Sequence, residues 1–274
     1  MILDFLKIEG LGNDFVVIDN RENIIKDYSL ITRKLCSRRF GIGGDGVLFV
    51  ENSEEADCEM IIYNADGSYA AMCGNGIRCF AKYVYEKKIC MCNPITIKTG
   101  DGIKKAYLEL ENDKVKNVKI NMGKESFNPK NIPLVGEEEF INKAIVAGNK
   151  EYKVTSLLMG VPHTVVLGAL KDIDINEGAF IERSEYFPEG TNVNFCEVIN
   201  EEYIKVKTWE RGAGATLACG TGSCACAVVT SKLGLTNNKV TVEVPGGKMI
   251  VEVNDNEVYM IGPCNIVFEG KIEI

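Results

Sequence analysis

Short runs in which apolar and polar residues alternate recur along most of this 274-residue chain. A period of two is typical of strands that bury one face. It predicts strands at residues 14–19, 58–64, 95–99, 107–111, 153–158, 164–167, 192–198, 203–209, 239–244, 249–253 and 258–261. The helical period of about 3.6 residues is rarer, and it predicts helices at residues 30–40, 74–85, 176–183 and 222–233. Strands therefore outnumber helices, which favours an α+β fold.

Two of the predicted helices begin in the same way. The tetrapeptide CGNG at residues 73–76 opens the second helix, and CGTG at residues 219–222 opens the last one. Each cysteine also ends a similar arm, since NADGSYAAMC starts at Asn64 and ERGAGATLAC starts at Glu210. Such duplication predicts two pseudo-symmetric, strand-rich α/β lobes, each with a central helix, and an active site in the cleft between them.

The lobe boundaries follow from the polar stretches between the repeated parts. We expect residues 1–118 to form the N-terminal lobe, with 264–274 returning to it, and residues 119–263 to form the C-terminal lobe. The candidate linkers are residues 112–116 and 123–130.

Composition narrows the possible functions. Hydrophobic residues make up 46% of the chain, enough for sizeable cores, and the net charge of -8 argues against a nucleic-acid partner. The sequence shows neither a leader pattern nor a run approaching the ~20 apolar residues of a membrane span, so we expect a cytoplasmic protein without a membrane partner. An odd count of eleven cysteines argues against a disulfide framework and leaves thiols that are free, metal-bound or catalytic.

Cys73 and Cys219 are the candidate catalytic residues. Each lies where a predicted helix begins, and the unpaired N–H groups and positive dipole end of a helix favour a thiolate there. The glycines that follow let the same N–H groups approach a carboxylate and stabilise the negative charge that develops when a neighbouring C–H is deprotonated. Two such elements facing one α-carbon could remove a proton on one side and return one on the other, which inverts the centre and requires no cofactor.

Four segments carry a resemblance to a known family. They are GLGNDFVVID at residues 10–19, NADGSYAAMCGNGIRC at 64–79, FPEGTNVNF at 187–195 and ERGAGATLACGTG at 210–222. Together they resemble the diaminopimelate epimerase family, and the likeness spans nearly the whole chain. The resemblance implies cofactor-independent conversion of LL-diaminopimelate to the meso form, for lysine and peptidoglycan synthesis, by two cysteines in a pseudo-symmetric pair of lobes. It implies an amino-acid substrate as the partner and leaves a homodimer open.

The resemblance also implies roles for individual residues. Cys73 and Cys219 become the acid/base pair, and Glu210 meets the substrate ammonium group. The groups that hold the reacting carboxylate are Gly74, Asn75, Gly220 and Thr221, whereas the pocket lining is Asn13, Asn64, Asn192 and Arg211. The last three of these residues contribute to recognition of the distal carboxylate.

Two positions depart from the family pattern. Val161 replaces the asparagine of a Gly-Asn-Pro-His motif, and Ala215 stands where a glutamate is common. Because a lost polar contact changes the selectivity of a polar site strongly, a racemase of another amino acid, such as histidine, stays an alternative. Functions of other classes are a thiol–disulfide redox protein, whose usual C-x-x-C signature is absent, and a binding module without chemistry.

Other motifs receive simpler interpretations. Gly41, Gly43 and Gly46 spell G-x-G-x-x-G, but they follow a helix and lead into a strand at residues 47–50, the reverse of a dinucleotide site. The pairs at 90/92 and 224/226 are spaced too tightly for a typical four-thiolate zinc site, so no metal is expected. We expect His163, the single histidine, to support the pocket rather than act as the base. We expect the basic residues of one helix to form a solvated face, at Arg33, Lys34, Arg38 and Arg39. We expect the other cysteines to pack in cores, at Cys36, Cys58, Cys79, Cys196, Cys224, Cys226 and Cys264.

Overall fold

The computed structural model describes residues 1–255 and 257–274. The chain divides into two compact units, Met1–Ile120 with Ile261–Ile274 and Asn121–Met260. The boundaries expected from the sequence, 118/119 and 263/264, lie within a few residues of these divisions. We call the first unit the N-terminal lobe and the second the C-terminal lobe.

The N-terminal lobe contains strands and two helices. In chain order its elements are β1 (Ile2–Gly10), β2 (Asn13–Asp19), α1 (Tyr28–Cys36), β3 (Gly46–Glu51), β4 (Cys58–Asn64), β5 (Tyr69–Ala70), α2 (Gly74–Glu86), β6 (Ile95–Thr99), β7 (Gly102–Glu111) and β8 (Lys114–Gly123).

The C-terminal lobe follows the same plan. Its elements are β9 (Lys143–Ala147), β10 (Lys150–Met159), β11 (Val161–Leu167), two short 3-10 turns (Leu170–Asp172 and Ile175–Glu177), α3 (Gly178–Glu182), β12 (Asn192–Asn200), β13 (Tyr203–Glu210), β14 (Gly214–Thr216), α4 (Gly220–Lys232), β15 (Lys239–Val244), β16 (Gly247–Val253) and β17 (Val258–Gly262). The last strand, β18 (Asn265–Glu273), belongs to the N-terminal lobe and pairs antiparallel with β1.

Strand pairing shows the internal repeat more clearly than the sequence does. In the N-terminal lobe, β1–β2 is antiparallel, β2–β3 parallel, β3–β4 and β4–β5 antiparallel, β4–β6 parallel and β6–β7 antiparallel. The C-terminal lobe repeats this order with β10–β11, β11–β12, β12–β13, β13–β14, β13–β15 and β15–β16. Each lobe therefore has the same topology, with α2 and α4 in equivalent positions.

The helices α2 and α4 are the centres of their lobes. In α2, every residue from Gly74 to Val84 is buried, and the helix contacts β1, β2, β3, β4 and β7. In α4, the buried residues include Gly220 and all residues from Gly222 to Thr230, and this helix contacts β10 to β13 and β15 and β16. A helix buried on all sides has its first turn fixed firmly, which matters because each candidate cysteine precedes one of these helices.

Several predicted elements differ from the observed ones. Helix α1 ends at Cys36 instead of residue 40, because Ser37 leaves the helical conformation with φ -58° and ψ 113°, and the Leu35 carbonyl accepts from the N–H groups of Ile42 and Gly43. The predicted helix at 176–183 is a 3-10 turn followed by the short α3. The candidate linker at 112–116 is the turn between β7 and β8, where Asn112 and Asp113 have positive φ angles of 52° and 60°.

The cysteines expected to pack in cores are buried, from Cys36 at 4% exposure to Cys79, Cys196, Cys224 and Cys226 at 0%. Within the described residues, no helix has both the length and the apolar character that crossing a membrane requires.

Candidate active site

Cys73 ends the loop after β5 and is the N-cap residue of α2. Its backbone is extended, with φ -141° and ψ 122°, so the side chain turns back over the first helical turn. The Gly76 N–H donates to Cys73 Sγ at 3.4 Å, and the Cys73 thiol donates to Asn13 Oδ1 at 3.7 Å. The sulfur is half-buried and therefore has a donor for its thiolate form and an acceptor for its thiol form.

A polar network fixes the residues around Cys73. Asn75 Nδ2 donates to Asn13 Oδ1 at 3.3 Å, and Asn13 Nδ2 donates to Asp45 Oδ2 at 2.8 Å. Arg78, which is fully buried in α2, donates to the Gly74 carbonyl at 3.2 Å and to Asn75 Oδ1 at 3.1 Å. The guanidinium thus sets the orientation of the Asn75 amide, which in turn orients Asn13.

Asn64 is the last residue of β4 and lies next to this network. Its backbone N–H and its Nδ2 donate to the carbonyl and the hydroxyl of Ser68, at 2.8 and 3.0 Å. The next amide, that of Ala65, donates to the Asp45 carbonyl at 2.9 Å. Asn64 is exposed and held by its turn, as a ligand-binding amide needs to be. We call Asn13, Asn64, Cys73, Gly74 and Asn75 the N-terminal half-site.

Cys219 is the N-cap residue of α4, with φ -117° and ψ 112°. Its sulfur lies 3.5 Å from Thr221 Oγ1, and its thiol hydrogen-bonds to the Glu210 carboxylate. The residue is 7% exposed. Like Cys73, Cys219 therefore has a donor for its thiolate form, here the Thr221 hydroxyl, and an oxygen that can accept from its thiol form, here the Glu210 carboxylate.

Glu210 ends β13 and faces Cys219 across the β14 turn. Burial raises the pKa of its carboxyl group, and the hydrogen bonds from the Thr216 hydroxyl, at 2.7 Å, and from the Cys219 thiol offset this only in part. The structure therefore adds a hydrogen bond from the Cys219 thiol to the ammonium-binding role that the resemblance implies for Glu210.

Asn192 and Arg211 lie together at the start of β12 and the end of β13. The Arg211 N–H donates to Asn192 Oδ1 at 2.9 Å, and Asn192 Nδ2 donates to the Pro162 carbonyl at 3.1 Å. The exposed Arg211 guanidinium donates to the Glu189 carbonyl at 2.7 Å. We call His163, Asn192, Glu210, Arg211, Cys219, Gly220 and Thr221 the C-terminal half-site.

His163 is the fully buried residue of this half-site. Burial, with a smaller contribution from the Arg211 charge, lowers its pKa to about 3, so the imidazole is neutral near pH 7. Its Nδ1 lies 3.1 Å from Asn194 Nδ2 and accepts that hydrogen bond. Asn194 also accepts from Thr208 Oγ1 at 3.0 Å through its Oδ1 atom, which packs against Gly222. The neighbouring Val161 is 40% exposed.

Some contributors were not predicted from the sequence. Arg78, Asn194, Asp45 and Thr216 touch residues of the half-sites, yet none of them was assigned a role from the sequence, although three of them lie inside the segments that carry the resemblance. Arg78 gave one signal, since an arginine among the apolar residues of a buried helix needs a fixed partner. The predicted basic face is only partly helical, because Arg38 follows α1 and pairs with Asp14 and Asp45 at 2.8 Å each.

The described residues contain no four-thiolate cluster. Cys224 and Cys226 are buried inside α4, where burial raises the pKa of Cys226 well above its ordinary value. Cys90 and Cys92 instead lie near the carboxylate of Asp57.

The chain is similar to known proteins over most of its length. The family model for diaminopimelate epimerase matches residues 5–128 and 155–267. The diaminopimelate epimerase of Clostridium perfringens is 53% identical over 98% of both chains, and that of Caldanaerobacter subterraneus is 48% identical over 98% of this chain and 99% of its own.

Solved structures show the same fold at low sequence identity. A Bacillus anthracis phenazine biosynthesis protein of the PhzF family has a TM-score of 0.74 at 14% identity and covers 100% of both chains. A hydroxyproline epimerase from Agrobacterium vitis has a TM-score of 0.71 at 14% identity and covers 99% of this chain and 91% of its own. The α+β fold expected from the sequence is confirmed, and the family match over most of the length shows that this chain belongs to the diaminopimelate epimerase family.

Proposed function

We propose that this protein converts LL-diaminopimelate to meso-diaminopimelate, with Cys73 and Cys219 acting from opposite sides of one α-carbon. The observation that supports this most directly is the matched environment of the two sulfurs. Each thiol has one neighbour that accepts a hydrogen bond from it and one that can donate a hydrogen bond to its thiolate form, namely Asn13 with the Gly76 N–H, and Glu210 with Thr221. A residue that removes a proton in one direction and returns it in the other needs both kinds of partner.

In the proposed reaction, one cysteine starts as thiolate and takes the α-proton, and the other starts as thiol and delivers its proton to the opposite face. For the reverse direction the two residues exchange roles. The Glu210 carboxylate accepts a hydrogen bond from the Cys219 thiol and so helps to orient its proton. The Gly76 N–H stabilises Cys73 when it is the thiolate.

The reacting carboxylate is assigned to the two helix N-termini. The backbone groups of Gly74 and Asn75 and of Gly220 and Thr221 form the first turns of α2 and α4, whose N–H groups lack partners within the helix. Donors fixed before the reaction stabilise the charge that develops as the α-proton leaves, and each is worth about 10²- to 10³-fold in rate at comparable sites. The buried Arg78 keeps the first of these turns rigid.

The distal end of the substrate is assigned to Asn64, Asn192 and Arg211. Asn192 is held by the Arg211 backbone N–H and the Pro162 carbonyl, whereas the exposed Arg211 guanidinium is held by the Glu189 carbonyl. An arginine fork binds a carboxylate in two-point geometry, which suits the second amino-acid end of diaminopimelate.

Val161 supports a second candidate within the same chemistry. An exposed apolar side chain stands at the position where the family pattern has an asparagine, so the pocket offers one amide fewer to a polar distal group. A smaller or less polar amino acid, such as histidine, is therefore the alternative substrate.

The test is solvent deuterium incorporation at the α-carbon, measured by NMR with LL-diaminopimelate, lanthionine, histidine, glutamate and proline. We expect incorporation with LL-diaminopimelate, and we expect Cys73→Ala and Cys219→Ala each to abolish formation of the inverted product. Cys92→Ala, which removes the exposed thiol, is the matched control and should retain activity. Full activity in either of the first two variants excludes the two-thiol mechanism, and incorporation with histidine alone reassigns the substrate. Thiol-dependent disulfide turnover without exchange indicates a redox protein instead.

A further inference from the structure

A cluster of metal-binding groups lies in the N-terminal lobe outside either half-site. One Asp57 carboxylate oxygen and the sulfur atoms of Cys90 and Cys92 all lie within 4.8 Å of one another. Asp57 belongs to the loop between β3 and β4, whereas the two cysteines belong to the loop between α2 and β6. Among the described residues, no other group of three or more potential ligand side chains of this kind comes as close together.

Both loops are fixed before any ligand arrives. The Thr96 N–H and hydroxyl donate to Asp57 Oδ2 at 2.7 and 2.6 Å, and the Asp57 N–H donates to Thr96 Oγ1 at 3.0 Å. On the other loop, the Cys90 N–H donates to the Val84 carbonyl at 3.2 Å at the end of α2. All hydrogen bonds that the described residues give this carboxylate end on Oδ2, which leaves Oδ1 as the ligand atom.

The two cysteines contact each other, and because burial raises the pKa of the Cys90 thiol, a bound cation is what would convert the pair to thiolates. The Cys92 backbone N–H donates to the Cys90 sulfur, and the two side chains also contact each other. Amide-to-sulfur bonds of this kind orient and stabilise thiolate ligands in metal sites. Cys90 is 8% exposed and fixed, whereas Cys92 is the one exposed cysteine of the eleven and can rotate toward a shared ion.

We propose that Asp57, Cys90 and Cys92 form a Zn²⁺ site with two sulfur ligands, one oxygen ligand and a fourth position for water. Two thiolates select a soft or borderline cation over Mg²⁺ or Ca²⁺, and zinc takes such mixed sets in tetrahedral geometry. With Zn–S bonds of about 2.3 Å, the sulfurs of a tetrahedral site lie roughly 3.8 Å apart, so a small rotation of Cys92 completes it. On binding, both thiols release their protons and form Zn–S bonds without any redox change.

The consequence of binding is a cross-link between two loops of the N-terminal lobe. The ion connects the β3–β4 loop to the end of α2, the helix whose first turn carries Cys73. We infer a stabilising role for the ion, since it binds the folded arrangement of the two loops and not the unfolded chain.

The test uses Cys73→Ser/Cys219→Ser protein as the parent, so that the half-site thiols contribute no zinc binding. Fully reduced, metal-free protein is titrated with Zn²⁺ against a chromophoric chelator. We expect one equivalent per chain, release of two protons in weak buffer, and a thiolate-to-metal absorption band in the ultraviolet when Cd²⁺ replaces Zn²⁺. Thermal unfolding should shift upward with added zinc.

Variants separate this site from general metal binding. Cys92→Ser should abolish the binding of one zinc equivalent and the zinc-dependent rise in the unfolding temperature. Asp57→Asn should weaken zinc binding, because the amide can keep the Thr96 bonds but carries no charge. Thr96→Val, which removes one bond to Asp57, should weaken binding about 10- to 100-fold. Met91→Ser, an exposed neighbour in the same loop, is the matched control and should bind as the parent does.

The result that overturns the proposal is zinc binding by Cys92→Ser equal to that of the parent, or an equal loss in Met91→Ser. Circular dichroism of each variant shows whether the fold is retained. In the background with both half-site cysteines present, Cys92→Ser should keep its basal epimerase activity.

Discussion

The glycines at the fourth position of the two tetrapeptides are equivalent in sequence but not in surroundings. A Cβ added at Gly222 would lie 2.2 Å from Asn194 Oδ1, whereas one added at Gly76 would lie 3.3 Å from Leu48 Cδ2. Asn194 is fully buried and held by Thr208 and His163, so it cannot move aside. The methyl group of Leu48, by contrast, can move aside.

We therefore predict that Gly222→Ala destabilises the protein by about 1–3 kcal/mol, the usual cost of overpacking, and lowers kcat by about 10²-fold, since the first turn of α4 shifts. Gly76→Ala should stay within about 1 kcal/mol of wild type, because alanine also favours the helix. Urea unfolding and steady-state kinetics measure both. Equal effects in the two variants would show that Asn194 can move and that this contact is unimportant.

The neutral His163 predicts a pH dependence of stability. Its pKa is lowered from 6.5 to about 3 by burial and by the Arg211 charge, so below pH 6.5 the unfolded chain binds a proton that the folded protein does not. The stability contributed by this group is complete above pH 6.5 and is lost as the pH falls toward 3, by about 1.4 kcal/mol per pH unit.

His163→Asn is the test, because its side-chain oxygen can replace Nδ1 as the acceptor for Asn194. The free energy of unfolding of the variant should fall less steeply between about pH 6 and pH 4 than that of wild type, by up to about one proton. Identical slopes would mean that the imidazole is protonated in the folded protein over this range.

At the scale of elements, the sequence predicted strands well where one face is buried and the other is exposed to solvent. The bounds of β4, β6 and β15 agree with their alternating patterns, since Cys58, Met60 and Ile62 face the core and the residues between them do not. Strand β1 was missed because Leu6, Lys7 and Ile8 are all buried, which destroys the alternation. A lysine is tolerated there because its ammonium group pairs with Asp14 at 2.5 Å, a contact between strands, and donates to the Gly43 carbonyl.

The same distinction applies to the site. The positions of Cys73 and Cys219 as N-cap residues could be predicted, because glycine-rich tetrapeptides before apolar helical stretches are local signals. The partners Asn194 and Arg78 could not, since their roles depend on strands and helices that meet only in the folded lobe. Local sequence predicts where each thiol lies, and tertiary structure decides which residues orient its neighbours.

At the scale of the whole molecule, the repeat of topology explains why one mechanism would need both lobes. Each lobe has one buried central helix, and one cysteine lies directly before it, at the end of an arm of equal length. A single thiol can exchange an α-proton on one face, but inversion requires a second on the opposite face. Duplication of one α/β unit gives each lobe a cysteine at the N-cap of its central helix.

If both sulfurs approach one α-carbon, they also come within reach of each other when substrate is absent. We therefore predict that diamide, which takes two electrons and two protons from a thiol pair, links Cys73 to Cys219 and abolishes activity, and that dithiothreitol restores it. The experiment is done in Cys92→Ser protein, because the adjacent Cys90 and Cys92 are a competing pair. Peptide mapping without reduction should find the Cys73–Cys219 disulfide in proportion to lost activity, and bound substrate should slow its formation. Inactive, oxidised protein in which both cysteines still react with an alkylating agent would contradict this prediction and, with it, the placement of the two thiols at one carbon centre.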